Sequence, residues 1–309
     1  MRDLGLKFNL YFSGPTSPRP LNRSNPGVPS NEPLLHPPEK IPTDPERPSS
    51  LSVMQRRSDL RTDSGTFKTM HLALIDASLG TPHAKRNFPR DVEASLTIYD
   101  ANEGEIPPPI GASAPIRTPN GPIQSFDGVL ISGSQSSVYD SERSWIEPLS
   151  QWVQGAISDG LPVLGVCWGH QLLAQILGGT VKGGSYELGY VQIQQEVDDP
   201  IWEDIPNPFT AFASHSDHVV ELPPKATLLA SNETGVQAFR RDQVYAVQFH
   251  PEYDRQTAEA MINSKTTLSQ DDLHAAHSTC TDENVAAARS AKQIFTNFLA
   301  HVEQTSAPA

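Results

Sequence analysis

From residue 70 onward the chain alternates short apolar runs with amphipathic stretches, each of a length suited to a strand or a helix. His71 to Ala77 (HLALIDA) is apolar almost throughout, as expected of a strand covered on both faces. Thr81 to Val92 predicts a loop and a short polar helix, and Leu96 to Ala101 (LTIYDA) a second strand. Glu103 to Pro122, rich in Pro and Gly, reads as a loop before a third strand at Phe126 to Ser132 (FDGVLIS). Between Glu142 and Asp159 the residues Trp145, Ile146, Leu149, Trp152, Val153 and Ile157 recur at helical spacing, with Gly160 as the stop. Val163, Leu164 and Val166 form a fourth strand. Leu172, Leu173, Ile176 and Leu177 then resume helical spacing until Gly178-Gly179.

Beyond Gly179 the texture changes to short β-like runs separated by turns: Thr180 to Glu196, Phe209 to Leu222, Ala226 to Ser231, Val236 to Arg240 and Gln243 to Phe249. Ala258 to Asn263, Asp271 to His277 and Asp282 to His301 are predicted helices. The last would pack Val285, Ala288, Ala291, Ile294, Phe295, Phe298 and Leu299 on the sheet. Strands alternating with helices across short turns indicate an α/β fold of three layers. A mostly parallel central sheet is flanked by helices, with a small mixed or antiparallel β extension.

Composition divides the chain at the same point. Residues 1–69 hold eleven of the 28 prolines and no sustained apolar period, so they are expected to form a disordered leader. Met70 directly precedes the first strand and is favoured as the natural start, with residues 70–309 as one domain and no function assigned to the leader. The leader carries ten Lys and Arg against seven Asp and Glu, whereas residues 70–309 carry thirteen against twenty-nine, a net of −16. A surface of that sign excludes nucleic acid as a direct partner. It suits an ordinary acidic protein and one kept soluble in high salt equally well. Two cysteines, Cys167 and Cys280, make no disulfide framework, which points to a reducing, cytoplasmic setting. No apolar stretch approaches the roughly 18 to 20 residues of a membrane span, and no secretory signal opens the chain.

The candidate chemistry lies where the fourth strand gives way to a helix. Gly165, Cys167 and Gly169 form a Gly-x-Cys-x-Gly turn, the layout of a nucleophile elbow. Backbone passes close to backbone there, hence the glycines, and the thiol is set at a helix N-terminus that favours thiolate. A buried structural cysteine is the plainer alternative. A thiolate attacking an amide needs a base, an orienter for that base and donors for the oxyanion. The β-like run Ala246-Val247-Gln248-Phe249 ends at His250, with Pro251 halting the ladder and Glu252 two residues on, within reach of the imidazole. Gly133, after the third strand, and Trp168, first in the elbow helix, offer backbone N–H groups at the same sheet edge. The histidines lack ligand spacing, so neither metal nor other cofactor is expected.

Gly165-Val166-Cys167-Trp168-Gly169-His170-Gln171 and His250-Pro251-Glu252, about eighty residues apart, together resemble the paired motifs of the class I glutamine amidotransferases, a family with a Cys-His-Glu triad. The resemblance covers nearly all of residues 70–252 and implies a flavodoxin-like sheet. Cys167 would attack the side-chain amide of glutamine, His250 held by Glu252 would move the proton to the departing ammonia, and Gly133 and Trp168 would hold the oxyanion. Gln171 fits the position that contacts glutamine in the family. Tyr186-Glu187-Leu188-Gly189 resembles the segment flanking the glutamine pocket. Phe212 to Val219 resembles the Ser-His-Gly-Asp stretch of the GMP synthase glutaminase domain, with Ser216 in place of the glycine. That makes Ser214, Ser216 and Asp217 candidate substrate contacts. A turn held by local hydrogen bonds is the competing reading of His215 and Asp217. His170 reads as a packing residue.

One departure stands out. The family's oxyanion turn reads Gly-Gly-Pro, whereas this chain has Ser132-Gly133-Ser134-Gln135, closer to stand-alone relatives such as the γ-glutamyl peptidase-like proteins. The 57 residues after Glu252 are too few for the ATP-pyrophosphatase domain of a GMP synthase. The expectation is therefore a stand-alone glutaminase whose ammonia passes to a synthase subunit on another chain. Two alternatives remain: a hydrolase of γ-glutamyl peptides without ammonia transfer, and a non-catalytic regulatory module on the same fold.

Overall fold

The computed structural model describes residues 70–306; the expected leader, residues 1–69, lies outside the described residues. Nine strands form one sheet in the order β2-β1-β3-β4-β9-β8-β7-β5-β6. In chain order, β1 (His71–Asp76), α1 (His83–Asp91), β2 (Ser95–Asp100), β3 (Gly128–Ile131), α2 (Ile146–Ser158), β4 (Val163–Val166) and α3 (Trp168–Ile176) build the first half. β5 (Thr180–Gln195), β6 (Phe209–Glu221), β7 (Thr227–Asn232), β8 (Gly235–Arg241) and β9 (Val244–Val247) follow, then α4 (Arg255–Asn263), α5 (Gln270–Ser278), α6 (Asp282–Ala287) and α7 (Gln293–Ser306). β2, β1, β3, β4 and β9 pair in parallel, and β8, β7, β5 and β6 continue the sheet antiparallel. The parallel sheet with an antiparallel extension matches the architecture expected from the strand pattern.

The apolar runs sort by alternation. Leu72 and Leu74 point to the layer built by Phe88 of α1 and Phe295 and Phe298 of α7. Ala73 and Ile75 point to the opposite layer, against Leu149 and Val153 of α2 and Leu172 and Leu173 of α3. Both faces are thus dry, which is why these strands are apolar at every position. A third cluster, Tyr190, Phe212, Tyr253, Ala258, Met261 and Ile262, joins the β5–β6 hairpin to α4 beside the sheet edge that carries the elbow.

Two helices differ from the sequence pattern. The expected helix from Glu142 begins only at Ile146, because Asp140 forms a turn: its carboxylate accepts the N–H of Glu142 and its carbonyl that of Arg143. The single helix expected over Asp282 to His301 is broken into α6, a 3-10 turn at Ala288–Lys292, and α7. Its apolar residues serve two clusters. Val285 and Ala288 pack against the hairpin cluster, while Ala291, Ile294, Phe295 and Phe298 pack on the sheet. A tighter turn of about 3.0 residues rotates one set relative to the other, which a continuous α-helix does not.

Candidate active site

The C-terminal ends of β1, β3, β4 and β9 meet at one sheet edge, where α/β sheets place their sites. β4 runs into α3 through Cys167, whose backbone is held at φ 54°, ψ −103°. For a residue with a side chain this is the sparsely populated left-handed side of φ space, a strain of about 1–3 kcal/mol. The surroundings enforce it. The Cys167 N–H donates to the carbonyl of Val247 at 2.8 Å, tying the elbow to β9. A Cβ on Gly165 would lie 2.5 Å from the Gly169 carbonyl oxygen, and one on Gly169 2.6 Å from that of Ile131, so neither flanking position has room for a side chain.

His250 is brought to the thiol by the segment following β9. Its N–H donates to the carbonyl of Phe212 in β6 at 2.8 Å, fixing it between the parallel sheet and the β5–β6 hairpin. Its Nδ1–H donates to Glu252 Oε1 at 2.8 Å, and the imidazole is also hydrogen-bonded to Cys167. All three side chains are nearly closed off from solvent. Burial opposes the imidazolium charge, but the Glu252 carboxylate and the Cys167 sulfur outweigh it, and the pKa of His250 is raised to about 10. Arg90 of α1 donates to the Glu252 carbonyl at 2.6 Å, and Arg86 and Arg90 both grip Asp254, the cap of α4.

Gly133 presses on the same group. A Cβ there would lie 2.9 Å from Cε1 of His250 and 3.5 Å from Cβ of Cys167. Its N–H meets no acceptor among the described residues, and that of Trp168, first in α3, has no intrahelical acceptor. Both residues adjoin Cys167.

These groups open on a cleft of about 410 Å³, counting the part open to solvent. Ser78, Thr81, His83 and Ala84 form one side, Ser132 to Gln135 the turn, and Ser214, Tyr253, Met261 and Lys265 the rest. Ser214 turns its carbonyl oxygen to within 3.9 Å of Cys167 Sγ. Gln171, Ser216 and Asp217 do not line the cleft. The Gln171 side chain, 3% exposed, donates to the Asp217 carbonyl at 2.9 Å and to Gln248 Oε1 at 3.1 Å. Ser216 lies half-buried in β6, and the Asp217 carboxylate accepts the Tyr139 hydroxyl at 2.8 Å. His215 places Nε2 2.8 Å from Glu187 and Nδ1 3.1 Å from the Asp217 carbonyl. Burial would raise the Glu187 carboxyl, but His215, Asn232 and Gln237 as donors lower it. His170 is fully buried behind the elbow, with Nδ1–H donating to Gln248 Oε1 at 3.1 Å. Burial above all holds its pKa down to about 3.

The family profile for glutamine amidotransferase class-I matches residues 109–269, just over half of the chain. The chain belongs to the class I glutamine amidotransferases. A GMP synthase (glutamine-hydrolysing) of Pyrobaculum aerophilum is 36% identical over 149 residues, 46% of this chain and 28% of that protein. One subunit of the GMP synthase (glutamine-hydrolysing) of Methanococcus vannielii is 46% identical over 101 residues, 31% of this chain and 53% of that protein. The amidotransferase thus spans about half or less of these relatives. A crystal structure of a glutamine amidotransferase from Thermotoga maritima shares the fold, with a TM-score of 0.61 at 19% identity, over 77% of this chain and all of that one. Among the described residues of this amidotransferase, no helix is long and apolar enough to cross a membrane. No three His, Cys, Asp or Glu among them could share a metal ion.

Sequence reasoning missed Thr81, His83, Tyr253, Met261 and Lys265 on the cleft wall. His83 and Thr81 follow the end of β1, where the sheet-edge rule points. Tyr253 directly follows His-Pro-Glu and stacks on the His250 ring. Lys265 carries no local signal.

Proposed function

We propose that this amidotransferase hydrolyses the side-chain amide of glutamine to glutamate and ammonia. The carrying observation is the His250 imidazole, held between Cys167 and Glu252 with its charge stabilised. In the proposed reaction the Cys167 sulfur attacks Cδ of the amide, and the carbonyl electrons become an oxyanion held by the N–H groups of Gly133 and Trp168. Collapse breaks the C–N bond, the nitrogen takes the proton of His250, and ammonia leaves a γ-glutamyl thioester. Water then attacks, giving a proton to His250, and collapse expels the sulfur and frees glutamate. Glu252 keeps the imidazole oriented and offsets its charge throughout. Ser214 contacts the substrate from the cleft wall, and Gln171, Ser216 and Asp217 brace that wall from behind.

The Methanococcus vannielii relative is named as one subunit of its synthase, which supports delivery of ammonia to a synthase on a separate chain. We assign the protein to the cytoplasm on its lack of a disulfide framework. A second reading, hydrolysis of γ-glutamyl peptides, is favoured by one feature. Gln135, within the divergent oxyanion turn, accepts the Leu79 N–H at 2.6 Å and ties that turn to the loop after β1. The test is glutamate release from L-glutamine and from γ-glutamyl dipeptides by the full chain. Glutamine turnover that disappears in Cys167→Ala supports the first reading, and far faster cleavage of the dipeptides supports the second. No release from either, with a synthase-containing extract added, refutes both.

A further inference from the structure

α4 starts three residues beyond Glu252; its last turn brings Met261 to the cleft, and Lys265, two residues past its end, also lines it. Lys265 is one of only five lysines after residue 69, and the surrounding chain is strongly acidic. Its ammonium lies over the ring of Tyr186, 5.3 Å from the centroid, and has no acidic partner among the described residues. Tyr186 and Ser214 share a hydrogen bond of 3.2 Å between their hydroxyls, and the Ser214 carbonyl faces the Cys167 sulfur. A line of contacts thus runs from the lysine to the nucleophile through the wall of the cleft, without passing through His250.

The other ionisable groups lining the cleft are already accounted for. The imidazolium of His250 lies between Cys167 and Glu252, and His83 is pushed toward the neutral form by burial first and by Arg86 next. An ammonium carries three donors and no acceptor, and a ring face satisfies its charge but not its hydrogen bonds. Among the described residues lining the cleft, Lys265 is the one lysine or arginine, and a substrate carboxylate entering it meets an ammonium with donors to spare.

We propose that Lys265 binds the α-carboxylate of the substrate, which restricts the site to free glutamine and other γ-glutamyl compounds with an unblocked α-carboxylate and excludes glutamine side chains within polypeptides. The proposal deepens the glutaminase reading and rests on it for the identity of the γ-glutamyl group. A carboxylate on the leaving amine is the other source of the same chemistry. The contacts of Lys265 favour the α-carboxylate, since the leaving nitrogen departs toward His250.

Labelling of Cys167 tests this without turnover. The full chain is treated with a chloroketone analogue of glutamine and with the same analogue bearing an α-carboxamide, in wild type, Lys265→Met and Lys265→Arg. Wild type is expected to react faster with the acid analogue by about tenfold or more, the scale of a charge-assisted contact. Lys265→Met should lose that preference while keeping its rate with the amide, and Lys265→Arg should keep most of it. Where glutamine is turned over, Lys265→Met should raise KM about tenfold or more with kcat little changed. No preference in wild type, including no labelling by either analogue, overturns the assignment, as does an equal slowing of both in Lys265→Met. Retained preference in Lys265→Met moves the carboxylate elsewhere and also overturns it. Absence of glutamine turnover with the preference intact counts against the glutaminase reading alone.

Discussion

The Tyr253 ring lies flat against the His250 imidazole, with centroids 4.1 Å apart and planes 24° from parallel. Phe212 also stacks on Tyr253, at 5.5 Å between centroids. The His250 imidazole is therefore held by its stacking on Tyr253 as well as by Glu252. Burial, then the Glu252 charge, keeps the Tyr253 hydroxyl neutral well above its ordinary range, so the ring acts as a surface and not as an acid. Tyr253→Phe should keep turnover within about threefold, whereas Tyr253→Ala should lower kcat by about 10- to 100-fold through loss of orientation. Steady-state kinetics of both variants checks this.

His250 carries a second expectation, in pH. Its pKa is raised from 6.5 to about 10, so its ionic contribution to stability is complete below pH 6.5 and is lost as pH climbs through 10. Its imidazole signal in NMR should titrate near pH 10. Glu252→Gln removes the largest raising cause, so the titration should move downward and kcat should fall on the order of 10²- to 10⁴-fold. An unmoved titration would show that Glu252 does not hold the charge.

His170 works in the opposite direction. Its pKa is lowered from 6.5 to about 3, so the fold gains stability above pH 6.5 and loses it as pH falls toward 3. The melting temperature of wild type should drop along this acid limb, and that of His170→Leu should drop less steeply. Parallel slopes would remove His170 from the account.

Two glycines separate folding from chemistry. Gly165→Ala drives a methyl into backbone at 2.5 Å and should cost about 3 kcal/mol or more. Gly133→Ala meets side chains and no backbone, the His250 ring at 2.9 Å and Cβ of Cys167 at 3.5 Å, so it displaces the imidazole rather than the chain. It should melt near wild type while losing about 100-fold in turnover. Melting curves beside rates distinguish the two.

The elbow was legible because its glycines bracket the cysteine in sequence: Gly165 has no room beside the Gly169 carbonyl and Leu173, and Gly169 none beside Ile131. His250 and Glu252 were legible for the same reason, being two residues apart on one turn. Lys265 and His83 were not, because only the fold brings the segment after α4 and the start of α1 to the same cleft. Gln171 sits one turn beyond Cys167 as expected, and its amide nitrogen donates to the Asp217 carbonyl and to Gln248 Oε1, partners that the motif alone did not reveal. The broken C-terminal helix was hidden because Val285 and Phe295 share one apolar stripe in sequence but pack into different clusters.

The proposed chemistry rests on a covalent step at Cys167. Acid-quenched protein taken from a reaction with L-glutamine, digested and analysed by mass spectrometry, should carry one γ-glutamyl group on the Cys167 peptide. His250→Ala should carry much less, and Cys167→Ala none. Glutamate released by wild type with no adduct on Cys167, and equally by Cys167→Ala, would contradict the account.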